Sequence, residues 1–454
     1  MAKKQEQDDS LGLSETISAL IPACRERLTK IKRQCGSIQL DPHTIQDLIA
    51  GSRGIKSLLW DISKLDPEHG ILYRGFSIPQ CFASLPSSFP GGQPLPEGVL
   101  WLLLTAHIPS TSQTASLSLD LMARISKLPD FVFSCINALP ISAHPMTQLV
   151  SAIMALQTES QFARAYASSM PIDQLWQPTL EDSLNLIARL PFLAAFIYRR
   201  IHREPVIPPD PKLDFAANFC HMLGFDDPDM YEMMRMYMVI HCDHEGGAVS
   251  AHAVRLVGSA LADPYLAFAA GMNGCAGPLH GLAIQESFKW ISKVFLELGA
   301  NATTTDLEDY VRHKLQAGQI IPGFGHALLK NTDPRYTCLY QFCERKFPDD
   351  PHFQLLAKLG EIVPNVMRQQ GKVRNPWPNV DAIIGVVFNH FGLQREDFFP
   401  VILGVARSIG SLSQLVWDRG LCLPIERPSS VNMDWIENFS QKKMEIIETK
   451  YGGD

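Results

Sequence analysis

Apolar residues recur at helical spacing, three and four apart, along most of the chain. The pattern predicts helices over residues 14–31, 145–158, 180–201, 251–258, 282–298, 307–317, 353–369 and 401–415. Strand-like alternation is rare. Its best instance is 71–78, Ile-Leu-Tyr-Arg-Gly-Phe-Ser-Ile, which reads as a small hairpin. The 32 prolines fall mostly between these segments and punctuate short connections. Residues 81–98, rich in Ser, Pro and Gly, read as an ordered surface loop, and the charged tail after Pro428 as partly helical near 442–448. No internal repeat or low-complexity linker interrupts the chain.

Three polar islands stand out against this helical background. His280 sits in Gly277-Pro278-Leu279-His280-Gly281-Leu282, His326 in Pro322-Gly323-Phe324-Gly325-His326, and Asp381 in Asn375-Pro376-Trp377-Pro378-Asn379-Val380-Asp381. Each is presented by a Gly- or Pro-rich turn, which holds a side chain at a helix end. Two histidines and a carboxylate so presented point to proton transfer at a carbon acid. A second domain is expected over 281–388, with 1–280 and 389–454 forming the first. It starts just after one of these residues and ends just after another, so a cleft between the domains would gather all three.

Composition narrows the picture further. The chain has 454 residues, 46% hydrophobic and 19% charged, enough for two domains with ample core. A net charge of −7 argues against nucleic-acid binding. No apolar run is read as reaching the roughly 18–20 residues of a membrane span; 99–106 is too short, and 190–198 contains Pro191. The ten cysteines are scattered with no C-x-x-C pair, as expected of reduced thiols. Met1–Asp9 has neither a secretory core nor an Arg-rich, acid-poor presequence, so the expected compartment is the cytoplasm.

The densest polar stretch runs from His241 to His252. It is not H-E-x-x-H, because Ala248 stands four residues after His244, and no third ligand accompanies His241 and His244. No metal is expected. Gly246-Gly247 suggests close backbone approach to a ligand, with His244 contacting an anion; a turn with structural histidines is the other reading. Arg335, Arg407 and Arg427 lie in apolar or turn-rich settings and are candidates for carboxylate capture, although each taken singly reads rather as a surface or ion-pair residue. Neither a Walker phosphate loop nor a G-x-S-x-G elbow occurs. The turn Gly51-Ser52-Arg53-Gly54 is a weak phosphate candidate.

Taken in order, these islands resemble citrate synthases of the eukaryotic type. Further landmarks are Tyr73-Arg74-Gly75-Phe76-Ser77-Ile78-Pro79, Pro94-Leu95-Pro96-Glu97-Gly98, Phe162-Ala163-Arg164-Ala165-Tyr166-Ala167 and Asp243-His244-Glu245-Gly246-Gly247, and the likeness spans about Leu11 to Pro428. It implies an all-α fold of a large and a small domain, forming a homodimer. It also implies roles. Asp381 takes a proton from the α-carbon of an acyl-CoA, neutral His280 stabilises the enol, and His326 polarises the keto group of oxaloacetate. His244, Arg335, Arg407 and Arg427 hold the oxaloacetate carboxylates, Arg427 from the partner subunit. Arg53, Arg164 and Lys330 match CoA-phosphate positions. No cofactor beyond the acyl-CoA co-substrate is implied.

Departures from the resemblance concern the acyl group. The family usually has Asn where Ala248 stands and Phe where Leu403 stands, both beside the acyl methyl. Ile383-Ile384 replace a small or polar pair, Ile284 an Asn, and Lys330 an Arg. An enlarged, greasier pocket would favour a longer acyl-CoA and an alkylcitrate product. The alternatives are an ordinary citrate synthase using acetyl-CoA, with drift at this wall, or a 2-methylcitrate synthase using propionyl-CoA. A silent CoA- or oxaloacetate-binding paralogue and a metallohydrolase are the remaining classes.

Overall fold

The computed structural model describes residues 11–40, 42–52, 54–125, 128–326, 328–371 and 375–451, the side chains of 444–451 excepted. The fold is all-α with one small sheet. Its axis is the helix Phe399–Gly420, every residue of which is buried. The surrounding helices are Pro96–Thr105, Trp176–His202, Pro228–His241, Val249–Ser259 and Pro264–Cys275. Small residues let them approach: a Cβ at Gly404 would lie 2.7 Å from Met272 Sδ. Here one expectation is corrected. The segment Glu396–Gly420 is long and apolar enough by composition to cross a membrane, but its apolar stretch is wholly buried inside the protein.

All eight expected helices are present, with ends shifted by a few residues. The segment 81–98 is not one loop. It begins in the helix Ile78–Ser84 and ends in Pro96–Thr105, with a Ser87–Pro94 bridge between. The expected hairpin over 71–78 is the pair β2 (Gly70–Tyr73) and β3 (Phe76–Ser77), and a third antiparallel strand, β1 (Ser63–Asp66), pairs with β2. The tail helix Met433–Tyr451 is longer than 442–448.

Two close approaches lock the elements that carry the polar turns. Gly70, with φ +76° at the β1–β2 turn, has no room for a Cβ because Pro334 of the helix Pro334–Lys346 lies against it. Gly410 on the central helix donates its N–H to Cys242 O at 3.0 Å, docking the turn that follows Pro228–His241. A Cβ at Gly410 would overlap Asp243 Cβ and lie 2.5 Å from Cys242 O. Gly410→Ala should therefore destabilise the protein by roughly 1–3 kcal/mol, the usual cost of overpacking. Urea denaturation measures it; stability equal to wild type would rule out this docking.

Candidate functional site

Two of the polar turns are zipped together by their backbones. Phe324 bridges to Pro378, Gly325 N donates to Trp377 O at 2.8 Å, and Asn379 N donates to Gly323 O at 2.9 Å. Asn379 uses both ends of its amide: Nδ2 donates to Gly325 O and Oδ1 accepts from Asp381 N, each at 2.9 Å. Gly323, at φ +79°, is forced by contact, since a Cβ there would lie 2.5 Å from Ser287 Oγ and 2.7 Å from Ala382 Cα. The zipper delivers His326 and Asp381 to the same place. Asp381 opens the helix Asp381–His390.

The third turn follows the helix Pro264–Cys275. Gly281 N bonds back to Cys275 O, and His280 is held by Ser250. His280 Nε2 lies 2.8 Å from Ser250 Oγ and accepts from Ser250 N at 3.4 Å. With Nε2 an acceptor, the ring proton resides on Nδ1. In His326 the roles are reversed: Nδ1 accepts from Leu328 N and Leu329 N, both at 3.0 Å, so Nε2 carries the proton. Burial pushes the His280 pKa down to about 4, helped by Arg407, and lowers His326 as well, helped by Arg335. Both rings are neutral donors at physiological pH.

The carboxyl of Asp381 moves the other way. Burial raises its pKa to about 6, against the opposing pull of Arg335 and Arg407. It is poised as a base that is ionised at neutral pH yet holds a proton better than an exposed aspartate.

A cleft of about 400 Å³ brings together His244, His280, His326, Arg335, Asp381 and Arg407, with Ala248, Ile284 and Leu403 on its apolar wall. The His244 and His326 rings are 6.1 Å apart. Arg335 spends two nitrogens on Asp333, with Nε–Oδ1 at 3.0 Å and Nη2–Oδ2 at 2.6 Å. Burial alone would raise the Asp333 pKa, but Arg335 outweighs it and holds the carboxylate charged. Arg407 is only 3% exposed, and its Nε and Nη1, like His244 Nε2 and His241 Nε2, are buried without a hydrogen-bond partner among the described residues. Buried donors without partners are costly, and those of Arg407, His244 and His241 belong to residues that line the cleft, a lining suited to an anionic ligand.

Not every expected residue is in this cleft. Arg427 and Arg164 are exposed and do not line it; Arg164 Nη2 donates to Glu159 O at 2.9 Å. Lys330 is exposed and ion-paired with Glu68. Arg53 lies outside the described residues. Ile383 and Ile384 are corrected: they are buried in the core rather than on the cleft wall. Gly246 does mark a close approach, but to Trp60, whose Cε3 would lie 2.8 Å from an added Cβ. Among the described residues no group of three His, Cys, Asp or Glu could hold a metal.

Some functional residues had no role from sequence. Asp333, which orients Arg335, lay in plain sight as the N-cap of an Asp-Pro helix start. Ser250, which fixes the His280 tautomer, carried no local signal, since its partner is thirty residues away. Asp243 is buried and accepts from Trp60 Nε1 at 3.0 Å and from Ser63 Oγ.

Comparison with known proteins gives a consistent result. The family described as "Citrate synthase, C-terminal domain" matches residues 51–429. The mitochondrial citrate synthase of Citrus maxima is 54% identical over 95% of this chain and 92% of its own length. The protein named citrate synthase 4, mitochondrial, of Arabidopsis thaliana is 52% identical over 97% and 93%. The crystal structure of the Pyrobaculum aerophilum citrate synthase superposes with a TM-score of 0.75 at 23% identity, covering 87% of this chain and 96% of that one, which supports the fold. This chain belongs to the citrate synthase family, whose members condense an acyl-CoA with oxaloacetate and need no cofactor beyond the CoA substrate. The expectation of a cytoplasmic protein is corrected by the mitochondrial names of these relatives. It rested on the composition of the first nine residues, which does not decide a compartment.

The His280 geometry makes a spectroscopic prediction. Long-range nitrogen–proton NMR correlations should find its proton on Nδ1 from pH 8 down to about 5, with imidazolium forming only as pH falls through about 4. An Nε2–H tautomer, or a titration near 6.5, would overturn the assignment.

Proposed function

We propose that this protein forms a citrate by a carbanion-type condensation followed by hydrolysis, with Asp381 as the base. The observation that carries it is the pairing of an Asp381 carboxylate, its pKa raised to about 6, with two neutral histidines of opposite tautomer around Arg407, whose Nε and Nη1 have no hydrogen-bond partner among the described residues. Oxaloacetate supplies the missing anion: its carboxylates meet Arg407, His244 and the Arg335 nitrogen not engaged by Asp333. Asp381 removes a proton from the α-carbon of the thioester while His280 Nδ1–H hydrogen-bonds the thioester oxygen. The enol attacks the keto carbon, His326 Nε2–H gives its proton to the keto oxygen as the bond forms, and the proton that Asp381 took is returned to His326 through solvent, so both groups are reset. Water then cleaves the thioester, releasing CoA and the new carboxylate.

Arg427 is assigned to the site of a partner subunit in a homodimer, where its exposure and absence from its own cleft make sense. Val249 and Leu256, 56% and 43% exposed on the helix Val249–Ser259, are apolar surface that such a dimer would cover. Lys330 and Arg164 are assigned to CoA phosphates, and residues 281–388 to a small domain that closes over the substrates. The names of the relatives support action in mitochondria.

Acetyl-CoA is the acyl donor that these names support. A second reading, a longer apolar acyl-CoA giving an alkylcitrate, rests on the cleft wall. Ala248, Leu403 and Ile284 line it, the last two 6% and 1% exposed. Each further methylene buried there contributes about 0.8 kcal/mol. About four of them would give roughly 3 kcal/mol, on the order of a hundredfold in preference.

Two experiments test these readings. Asp381→Asn should reduce kcat by about 10²–10⁴-fold, and the wild-type rate should fall as pH drops through about 6, where the base becomes protonated. A variant within tenfold of wild type would sink the assignment of the base. For the acyl group, release of CoA is followed with acetyl- through decanoyl-CoA. If hexanoyl- or octanoyl-CoA wins, Ala248→Asn with Leu403→Phe should return kcat/KM toward acetyl-CoA at least tenfold. Preference for acetyl-CoA over every longer thioester would end the alkylcitrate reading.

A further inference from the structure

We infer that Glu68 is an internal competitor for the CoA phosphate at Lys330, so that the β1–β2 turn sets how tightly the thioester is held. The inference rests on the proposed contact between Lys330 and CoA.

The turn is built to project this carboxylate. Asp66 Oδ1 accepts from Glu68 N at 2.9 Å and from His69 N at 3.0 Å, and pairs with His69 Nδ1 at 3.0 Å. That fixes the backbone and leaves the Glu68 side chain to reach outward. Glu68 Oε1 meets Lys330 Nζ at 2.8 Å. Three more bonds tie the turn to the same loop: Lys330 N to Pro67 O at 2.8 Å, and Asn331 Nδ2 to Glu68 O at 3.1 Å and to Glu68 Oε2 at 3.2 Å. The loop starts at His326, whose Nδ1 is capped by Leu328 and Leu329, and Leu329 O accepts from Asn375. One loop therefore carries both the keto-polarising histidine and the phosphate cation, and Glu68 occupies the cation.

The pair can be displaced. The Lys330 and Glu68 side chains are 68% and 51% exposed, so both water and a ligand reach them. An exposed pair of this kind is weak. A phosphate carries more charge than a carboxylate, and an ammonium is a point charge that changes partner without losing a two-pronged fit. Arginine at position 330 could keep hold of Glu68 with one edge while meeting a phosphate with the other; lysine must choose.

Steady-state kinetics at low ionic strength on Glu68→Gln, Lys330→Gln and the double variant test this, with acyl-CoA and with the matching acyl-pantetheine, which has no phosphate. Glu68→Gln should lower KM for acyl-CoA about two- to fivefold, the span of an exposed ion pair, with a smaller change in kcat. Lys330→Gln should raise KM, and the double variant should resemble Lys330→Gln. Acyl-pantetheine should not respond to Glu68→Gln. An unchanged or higher KM in Glu68→Gln, with Lys330→Gln still raising it, overturns the competition and leaves the CoA contact standing. A Glu68→Gln effect as large on acyl-pantetheine also overturns it, by placing the influence in the His326 loop. If neither single variant moves KM, the CoA assignment of Lys330 falls with it.

Discussion

The site depends on a positive charge carried by a helix that is otherwise wholly buried. Arg407 sits midway along Phe399–Gly420, where no described side chain satisfies Nε or Nη1. An isolated cation there would cost several kcal/mol. Its field is balanced by Asp243, which is fully buried, and whose pKa burial raises while Arg407 pulls it down. The two charges stabilise each other through the low-dielectric interior. Asp243 stays in place because Gly410 admits its turn and because Trp60 and Ser63 bind its carboxylate. Central helix, histidine turn and β1 are thus one electrostatic unit, and its remaining polar valences open into the cleft.

A second unit faces the first. The zipped turns of His326 and Asp381 are held by main-chain bonds and by Asn379, so their geometry does not rest on long side chains. Each acid–base group is then biased by a local partner: Ser250 for His280, two backbone N–H groups for His326, burial for Asp381. Preorganised donors of this kind stabilise developing negative charge without rearranging during the reaction. Arg335 joins the units. Its bond to Asp333 belongs to the helix Pro334–Lys346, and Val380 N reaches the same carboxylate at 3.4 Å.

The sequence made the site more legible than the fold. Gly- and Pro-rich turns advertise a presented side chain locally, which is why His280, His326, Asp381 and the Asp243–Gly247 stretch are all visible in the chain itself. Long amphipathic helices such as Leu13–Cys35 and Pro351–Gln370 are equally plain. Helices buried all round are not. Pro96–Thr105 is buried on every side, and Pro264–Cys275 leaves only Asn273 well exposed, so neither shows a clear period. Their prolines read as breaks between elements, whereas Pro96, Pro228, Pro264 and Pro334 each stand in a first helical turn, where the missing N–H costs nothing. Ile383 and Ile384 mislead for a related reason: proximity to Asp381 in sequence does not survive the rotation of a helix, which carries both into the core.

Helix geometry bears on the acyl wall too. Ala248 is not only a wall residue; it is the N-cap of Val249–Ser259, and no side chain caps that helix. The asparagine usual at this position would be among the best caps available, and replacing such a residue by alanine costs about 0.5–2 kcal/mol. The helix it opens carries Ser250, which fixes the His280 tautomer. An uncapped start to this helix therefore weakens the element that supports His280. Leu403, by contrast, sits on the wholly buried central helix. The wall of the cleft therefore joins a helix end that has no side-chain cap to a helix buried along its whole length, and the two lend the site very different backbone support.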